Sequence, residues 1–146
     1  MGVKFNPFKK SLFILIQCSF GLAQTFLGLI IFLIFIRKPH RFYRGCIDTR
    51  WNSSAGLSLG LFIFTPDESF SDSQKTRVHE YGHCIQSLVL GPLYLFLIGI
   101  VSAIWAGLPY FEKLRIEKGV PYTACFVESW ASRWGERVTG EAAFWG

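Results

Sequence analysis

The chain has 146 residues, of which 51% are hydrophobic, 17% aromatic and 17% charged. That length allows one small domain with or without a membrane anchor, and the aromatic content excludes a disordered chain. The four cysteines are widely spaced, which argues against a disulfide scaffold. The net charge of +5 is uneven, because residues 1–50 carry eight Lys or Arg and one acidic residue. Basic residues that bracket an apolar run are typical of a membrane protein and not of a nucleic-acid binder.

The first apolar run extends from Ser11 to Ile36 without a charged residue. At about 1.5 Å per residue it is long enough for a hydrocarbon core of about 30 Å, and too long for a cleaved signal peptide. We therefore predict a transmembrane helix inside an N-terminal membrane anchor, residues 1–44, and an integral protein of the cell membrane. The basic residues after the run outnumber those before it, which favours a cytoplasmic main domain.

Four small or amide residues in this run share one helical stripe. Gln17, Gly21, Gln24 and Gly28 are separated by four, three and four positions. Such a stripe favours close packing inside a bilayer, and we expect it to face the second apolar segment. The alternative is a lipid-facing helix that tolerates occasional amides.

The second apolar segment, residues 88–109, is long enough to cross a bilayer but is interrupted by glycine and proline. Gly91-Pro92, Gly99 and Gly107 are the interruptions. The segment therefore predicts either a true span or a bent, re-entrant or surface-lying element.

The sequence His79-Glu80-Tyr81-Gly82-His83 is an HExxH motif. On a helix the two imidazoles share a face and can bind one zinc ion, with Glu80 beside it as general base. Helical periodicity, a possible capping box at Ser71–Gln74 and a stop at Gly91 place the motif in a helix over roughly residues 72–90. Gly82 either admits a neighbouring backbone or is merely tolerated.

The third ligand is the residue that separates the groups of zinc peptidases. Gln86 and Val89 stand where a metzincin needs glycine and histidine, and no aspartate follows Asp72 as an intramembrane site-2 protease would need. The downstream glutamates remain: Glu112, Glu117, Glu128, Glu136 and Glu141. Glu128 is the best placed, because it lies beside an apolar stripe in a helix that Gly135 can end. It can reach the metal only if residues 88–109 do not cross the bilayer.

These motifs resemble the gluzincin group of zinc metallopeptidases. Residues 56–135 also look like short uncharacterised bacterial membrane proteins that carry HEYGH, then QS, then LGPLYL. The resemblance implies that His79, His83 and Glu128 bind Zn²⁺, that Glu80 is the catalytic base, and that residues 45–146 form a zincin-like domain. Ser132 departs from the gluzincin pattern, which has an acidic residue four positions after the glutamate.

We therefore expect a mainly α membrane protein: a transmembrane helix plus a small zincin-like helical domain with one strand or hairpin near residues 57–65. The predicted function is a membrane-anchored zinc metallopeptidase that hydrolyses peptide or protein substrates. Tyr110 and Tyr122 are the candidate oxyanion donors. The alternative, favoured by the small size, is a non-catalytic membrane assembly protein with a structural or vestigial zinc site.

Overall fold

The computed structural model describes residues 7–146, which form six α-helices and a four-stranded sheet. The helices are α1 (Pro7–Ser19), α2 (Leu22–Ile34), α3 (Ser73–Leu90), α4 (Ile100–Gly107), α5 (Pro109–Lys118) and α6 (Phe126–Thr139). The strands are β1 (His40–Tyr43), β2 (Cys46–Trp51), β3 (Leu57–Leu59) and β4 (Phe62–Pro66). The first six residues of the predicted anchor, with Lys4, lie outside the described residues.

The predicted fold class, a mainly helical protein with a transmembrane helix, is wrong. The chain is an α/β fold, and within residues 7–146 no single helix has both the length and the apolar character to span a membrane. The apolar run Ser11–Ile36 is divided into α1 and α2, which meet at 94°. Together the two helices have the length and composition of a broken span, as does α3 with the segment that ends at Gly107.

The bend between α1 and α2 follows from buried amides. The Gln17 side chain donates to the carbonyl of Cys84 at 3.0 Å, and the Gln24 side chain donates to that of Gly91 at 3.0 Å. Each helix is therefore fixed separately against α3 and its end, because a buried amide without a partner is costly. Thr25 also donates to the Gln17 carbonyl at 2.9 Å, across the bend. The predicted stripe of four small and amide residues is buried, so it is a packing face, although its helix is broken.

The sheet has the order β1-β2-β4-β3. Two antiparallel hairpins, β1–β2 and β3–β4, are joined by parallel pairing of β2 with β4. Gly45 and Gly60 make the hairpin turns with φ of +97° and +61°, a conformation that favours glycine. Of the predicted strand or hairpin near residues 57–65, the hairpin forms, and it is part of a larger sheet. The domain boundary predicted after residue 44 falls in the first turn.

The two faces of the sheet contact different helices. The face with Phe62 packs under α2, where the Phe62 and Phe32 ring centroids lie 5.3 Å apart. The opposite face carries Ile63, which packs with Tyr81 of α3 in a buried cluster. Asp48 is fully buried on that second face, where it accepts from Thr65 at 2.6 Å and from Arg41 at 3.0 Å. The layers are therefore α2, the sheet, α3 and then α6.

The second apolar segment is bent, as one of the two sequence-based alternatives predicted. Helix α3 stops at Gly91, whose φ is +52°, and a 3-10 turn and a π-helical turn over Leu95–Gly99 lead into α4. The helical stretches Ser73–Leu93 and Leu95–Gly107 meet at an angle of 120°. The bend returns the chain towards α3, so that α6 can lie directly against the metal-motif helix.

Candidate metal centre

Helix α3 carries the HExxH motif and spans Ser73–Leu90, close to the predicted limits. The predicted capping box does not form, because the N-cap residue is Asp72 and its carboxylate pairs with Lys75 at 3.0 Å. His79, Glu80 and His83 are each at most 5% exposed. A helix that starts well before the motif therefore holds all three side chains inside the protein.

Helix α6 approaches α3 unusually closely, and two glycines make this possible. A Cβ at Gly82 would lie 1.8 Å from the carbonyl oxygen of Ala131, and a Cβ at Gly135 would lie 2.2 Å from that of Val78. Gly82 thus has the role of admitting a neighbouring backbone. The prediction that Gly135 ends its helix is wrong: it lies at this crossing, and α6 continues to Thr139 and ends at Gly140.

The crossing of α3 and α6 brings Glu128 to the two histidines. The carboxylate oxygen Oε2 of Glu128 lies 2.9 Å from Nε2 of His79 and 3.1 Å from Nε2 of His83. One ligand atom from each of the three residues falls within 4.8 Å of the other two. Glu128 is fully buried, and its Oε1 has no hydrogen-bond partner among the described residues. The three residues could hold a metal ion.

Hydrogen bonds behind the imidazoles indicate which ring nitrogens face the site. Nδ1 of His79 lies 2.8 Å from Oγ of Ser132, and Nδ1 of His83 lies 2.6 Å from Oε1 of Gln86. The Ser132 hydroxyl donates to the Phe144 carbonyl, so it accepts from His79, while an amide oxygen can only accept. Both neutral rings therefore carry their proton on Nδ1, and their Nε2 lone pairs point at a carboxylate. Three convergent acceptors fit a cation.

Sequence reasoning missed the roles of Ser132 and Gln86. Both lie one helical turn after a ligand, at the i+4 and i+3 positions that share its face. That spacing is the signal in the sequence, where Ser132 stands out only as a departure from the gluzincin pattern. A hydrogen bond to the outer ring nitrogen orients a ligating histidine and fixes its tautomer.

The electrostatics of the cluster keep its carboxylate ionised. Burial acts to raise the pKa of Glu128, but the hydrogen bonds and positive charge that His79 and His83 supply when their rings are protonated outweigh it and hold that pKa well below its usual range. Burial lowers the pKa of His79. Burial also acts to lower the pKa of His83, but the hydrogen bond and charge of Glu128 raise it to about 9. An ionised carboxylate beside imidazoles is the state that a cation requires.

Glu80 lies next to the cluster, on the wall of a cavity of about 850 Å³ that His79 and His83 also line. Its carboxylate packs against Gly56, where an added Cβ would lie 2.1 Å from Oε1. Burial raises the pKa of Glu80 to about 8. A bound cation would oppose this shift, because a nearby positive charge favours the ionised carboxylate.

Of the two predicted oxyanion donors, the structure brings only Tyr122 to the cavity. The Tyr122 ring lies 6.2 Å from the His79 ring, centroid to centroid, and lines the same cavity. Tyr110 is 70% exposed on α5 and does not line it. Tyr94 was not predicted: it is buried in the cavity wall and donates to the Ser58 carbonyl at 3.1 Å.

The other candidate glutamates lie elsewhere. Glu112 and Glu117 are exposed on α5. Glu136 accepts from the Trp145 indole at 2.9 Å, and Glu141 pairs with Arg44 at 3.1 Å. Among the downstream glutamates, Glu128 alone joins the histidine cluster.

A pair of buried thiols lies close to the metal cluster. Sγ of Cys84 is 3.5 Å from Sγ of Cys46 and 3.1 Å from the Ser58 hydroxyl. Burial raises the pKa of Cys46 well above its usual value. Both thiols belong to the buried core cluster with Ile63 and Tyr81, and neither joins the histidine and glutamate group among the described residues.

Comparisons of the chain with protein-family models, with curated proteins and with solved structures found no match. The site is therefore interpreted from its own geometry and chemistry.

Proposed function

We propose that the protein is a zinc metallopeptidase whose ligands are His79, His83 and Glu128. The observation that carries this proposal is the arrangement of one carboxylate oxygen about 3 Å from two imidazole nitrogens, at the wall of an open cavity. A tetrahedral zinc with bonds of about 2.1 Å needs ligand atoms roughly 3.3 Å apart. Three protein ligands leave a fourth position for water or substrate, as in catalytic zinc sites.

The donor set supports zinc over harder cations. Two imidazoles with one carboxylate suit Zn²⁺, whereas Mg²⁺ and Ca²⁺ prefer oxygen ligands alone. Zinc in such a site polarises a carbonyl and brings the pKa of water near neutrality. Ser132 and Gln86 orient the two histidines and keep their Nε2 atoms free of protons.

Glu80 serves as the general base. It follows His79 in the chain and lines the cavity, where its carboxylate can accept a proton from the attacking water. The same carboxyl group then gives the proton to the leaving amine as the C–N bond breaks. The products are a peptide with a new carboxylate and a peptide with a new amino group.

Tyr122 is the proposed hydrogen-bond donor to the oxyanion. Its ring lies beside His79 in the cavity, which Ser102 of α4 also lines. Donors that already point at the position of a developing negative charge need little rearrangement during the reaction. Tyr110 has no part in this proposal.

The cavity suits an extended peptide. Strand β3 is at the edge of the sheet, and Gly56–Leu59 lines the cavity. An unpaired strand edge can bind a peptide through main-chain hydrogen bonds. The opposite wall, from Tyr94 to Ala106, offers mainly apolar surface for the side chains of that peptide.

Metal content tests the ligand assignment. We expect about one zinc per chain in the purified protein and none above background in His79→Ala or Glu128→Ala. Glu112→Gln, an exposed glutamate outside the site, is the control and should keep its zinc. Equal zinc in wild type and both ligand variants would refute the site.

Hydrolysis tests the catalytic assignment. The wild-type protein should cleave a library of fluorogenic peptides, and Glu80→Gln should keep zinc but lose activity by at least about 100-fold. Zinc analysis of the same sample shows whether the variant has retained its site. Stoichiometric zinc without cleavage of any peptide in the wild type would instead favour the non-catalytic assembly protein.

A further inference from the structure

Two helical stripes of large apolar side chains are exposed, one on α2 and one on the segment that follows α3. On α2 the stripe follows helical spacing and consists of Leu22, Phe26, Leu29, Ile30 and Leu33. On the segment after α3 it consists of Leu93, Phe96, Leu97, Ile100 and Ile104. Exposed fractions run from 39% to 67%. We refer to these ten residues as the apolar face.

The two stripes are joined at Pro92. A cleft at this point is lined by residues from both sides: Ser19, Phe20, Leu22, Ala23, Phe26 and Pro92. A Cβ on Gly91 would lie 2.3 Å from the Phe20 ring, which shows how closely the α1–α2 bend approaches the end of α3. The apolar face is therefore continuous, and a continuous exposed apolar surface marks an interaction site.

The apolar face reaches the mouth of the metal cavity. Phe96 and Ile100 line that cavity and are also 67% and 50% exposed. Gly99, Ser102 and Ala103 lie beside them in the cavity wall and are small or short. Whatever covers the apolar face therefore also borders the entrance to the site.

The α1–α2 region, which carries the first stripe of the apolar face, has unpaired positive charge. Lys9 and Lys10 on α1 and Arg37 after α2 form no ion pair within the described residues. The acidic residue in the first 50 positions is Asp48, which is buried and bound to Arg41. Two copies of this region would repel each other, whereas anionic lipid headgroups would attract it.

We propose that the apolar face lies in the surface of an anionic phospholipid bilayer, parallel to its plane. The 13-residue α2 is about 20 Å long and does not need to cross to bury its outer stripe. In this arrangement no helix spans the membrane, and the cavity mouth at Phe96 and Ile100 opens at the lipid surface. Substrates would then reach the cavity at the lipid surface, and that last step rests on the proposed peptidase function.

Vesicle flotation of the full-length protein tests the proposal. The protein should float with vesicles of phosphatidylcholine and roughly 30% phosphatidylglycerol, and less with phosphatidylcholine alone. The double variant Phe26→Gln/Leu33→Gln should lower the partition coefficient at least about tenfold. The control Ile116→Gln/Val138→Gln changes exposed apolar residues outside the face and should leave it unaltered. Both variants are checked for wild-type circular dichroism and melting temperature.

Three outcomes would overturn the proposal: no flotation, equal losses in both double variants, or a stable dimer that dissociates only when the apolar face is changed. The last outcome would assign the face to a second copy of the chain. His79→Ala should float as the wild type does, although it should not hydrolyse peptides. In the wild type, flotation without hydrolysis would support the bilayer proposal and refute the peptidase, whereas hydrolysis without flotation would refute the bilayer proposal and support the peptidase.

Discussion

The α3–α6 pair and the α1–α2 pair are both built from helices, but they use polar residues in different ways. In α3 and α6 the buried polar groups converge on one point, where one carboxylate oxygen lies about 3 Å from two imidazole nitrogens. In α1 and α2 the buried amides donate to α3 and to the Gly91 carbonyl that follows it, and the outer surface is apolar. Buried polar groups thus form a candidate metal site between α3 and α6, whereas in α1 and α2 they attach those helices to the rest of the protein.

This difference distinguishes buried polar groups that stabilise the fold from those that form a binding site. Gln17 donates to the Cys84 carbonyl and accepts from the Ser87 hydroxyl, so ordinary structural hydrogen bonding explains it. Gln24 also donates twice, while its Oε1 has no hydrogen-bond partner among the described residues. Convergent acceptors without a proton between them are unfavourable unless a cation is present. The converging side chains of His79, His83 and Glu128 are therefore the arrangement that predicts a metal site.

The largest expected effect comes from Gly82→Ala, because the added Cβ would lie 1.8 Å from a backbone carbonyl of α6. Overpacking of rigid backbone should lower the free energy of unfolding by about 3 kcal/mol and abolish zinc binding. Chemical denaturation and zinc analysis measure these two effects.

Gly107→Ala on α4 is the matched control for that substitution. Nothing lies within 4 Å of an added Cβ there, so the protein should be unchanged or up to about 1 kcal/mol more stable. Similar destabilisation by both substitutions would show that the close crossing of α3 and α6 is not special.

The next effect is that of Gln17→Leu. It leaves the Cys84 carbonyl without its side-chain donor and the Ser87 hydroxyl without its acceptor, 3.0 Å and 2.9 Å away in the wild type. We expect a loss of about 2 kcal/mol in unfolding free energy, with zinc stoichiometry retained. Ser19→Ala, an exposed change on the same helix, is the control. Loss of zinc in Gln17→Leu would contradict the purely structural role given to α1.

A smaller effect is expected from Ser132→Ala, which removes the hydrogen bond to Nδ1 of His79. Zinc affinity, measured by competition with a chelator, should fall about 10- to 100-fold while one zinc per chain still binds. Ser129→Ala on the same helix removes a bond to the Phe126 carbonyl and should leave zinc affinity unchanged. If both variants bind zinc as the wild type does, Ser132 does not orient the histidine.

The smallest effect is that of Leu33→Gln on folding. Leu33 is 57% exposed, so the unfolding free energy in solution should change by less than about 0.5 kcal/mol. Denaturation without vesicles measures this. A loss of more than about 1 kcal/mol would mean that Leu33 packs inside the protein and is not part of an exposed face.

The sequence predicted α3 and the candidate ligand Glu128 because local residue patterns indicate both. Periodicity and the stop at Gly91 delimited α3, and the apolar stripe beside Glu128 distinguished it from the other downstream glutamates. The supporting Ser132 and Gln86 were not predicted. Whether Ser132 reaches the ring of His79 depends on how α6 packs on α3, which neither helix's sequence specifies. Gln86 lies on the same helix as His83, and its i, i+3 spacing is a signal that the sequence does contain.

The sheet and the bend in the first apolar run were missed for related reasons. Strand β2 buries Asp48 and Arg50, and their charges conceal the alternating pattern that indicates a strand. The bend at Gly21 depends on hydrogen bonds from Gln17 and Gln24 to residues over 60 positions away. A hydropathy pattern contains no information about such partners.

Zinc K-edge X-ray absorption of the purified protein tests the central claim most directly. The account predicts a first coordination sphere of nitrogen and oxygen atoms at about 2.0–2.2 Å with two imidazoles, and loss of the zinc in Glu128→Ala. A zinc–sulfur distance of about 2.3 Å would place the metal at Cys46 and Cys84. That distance, or an unchanged spectrum in Glu128→Ala, would contradict the account.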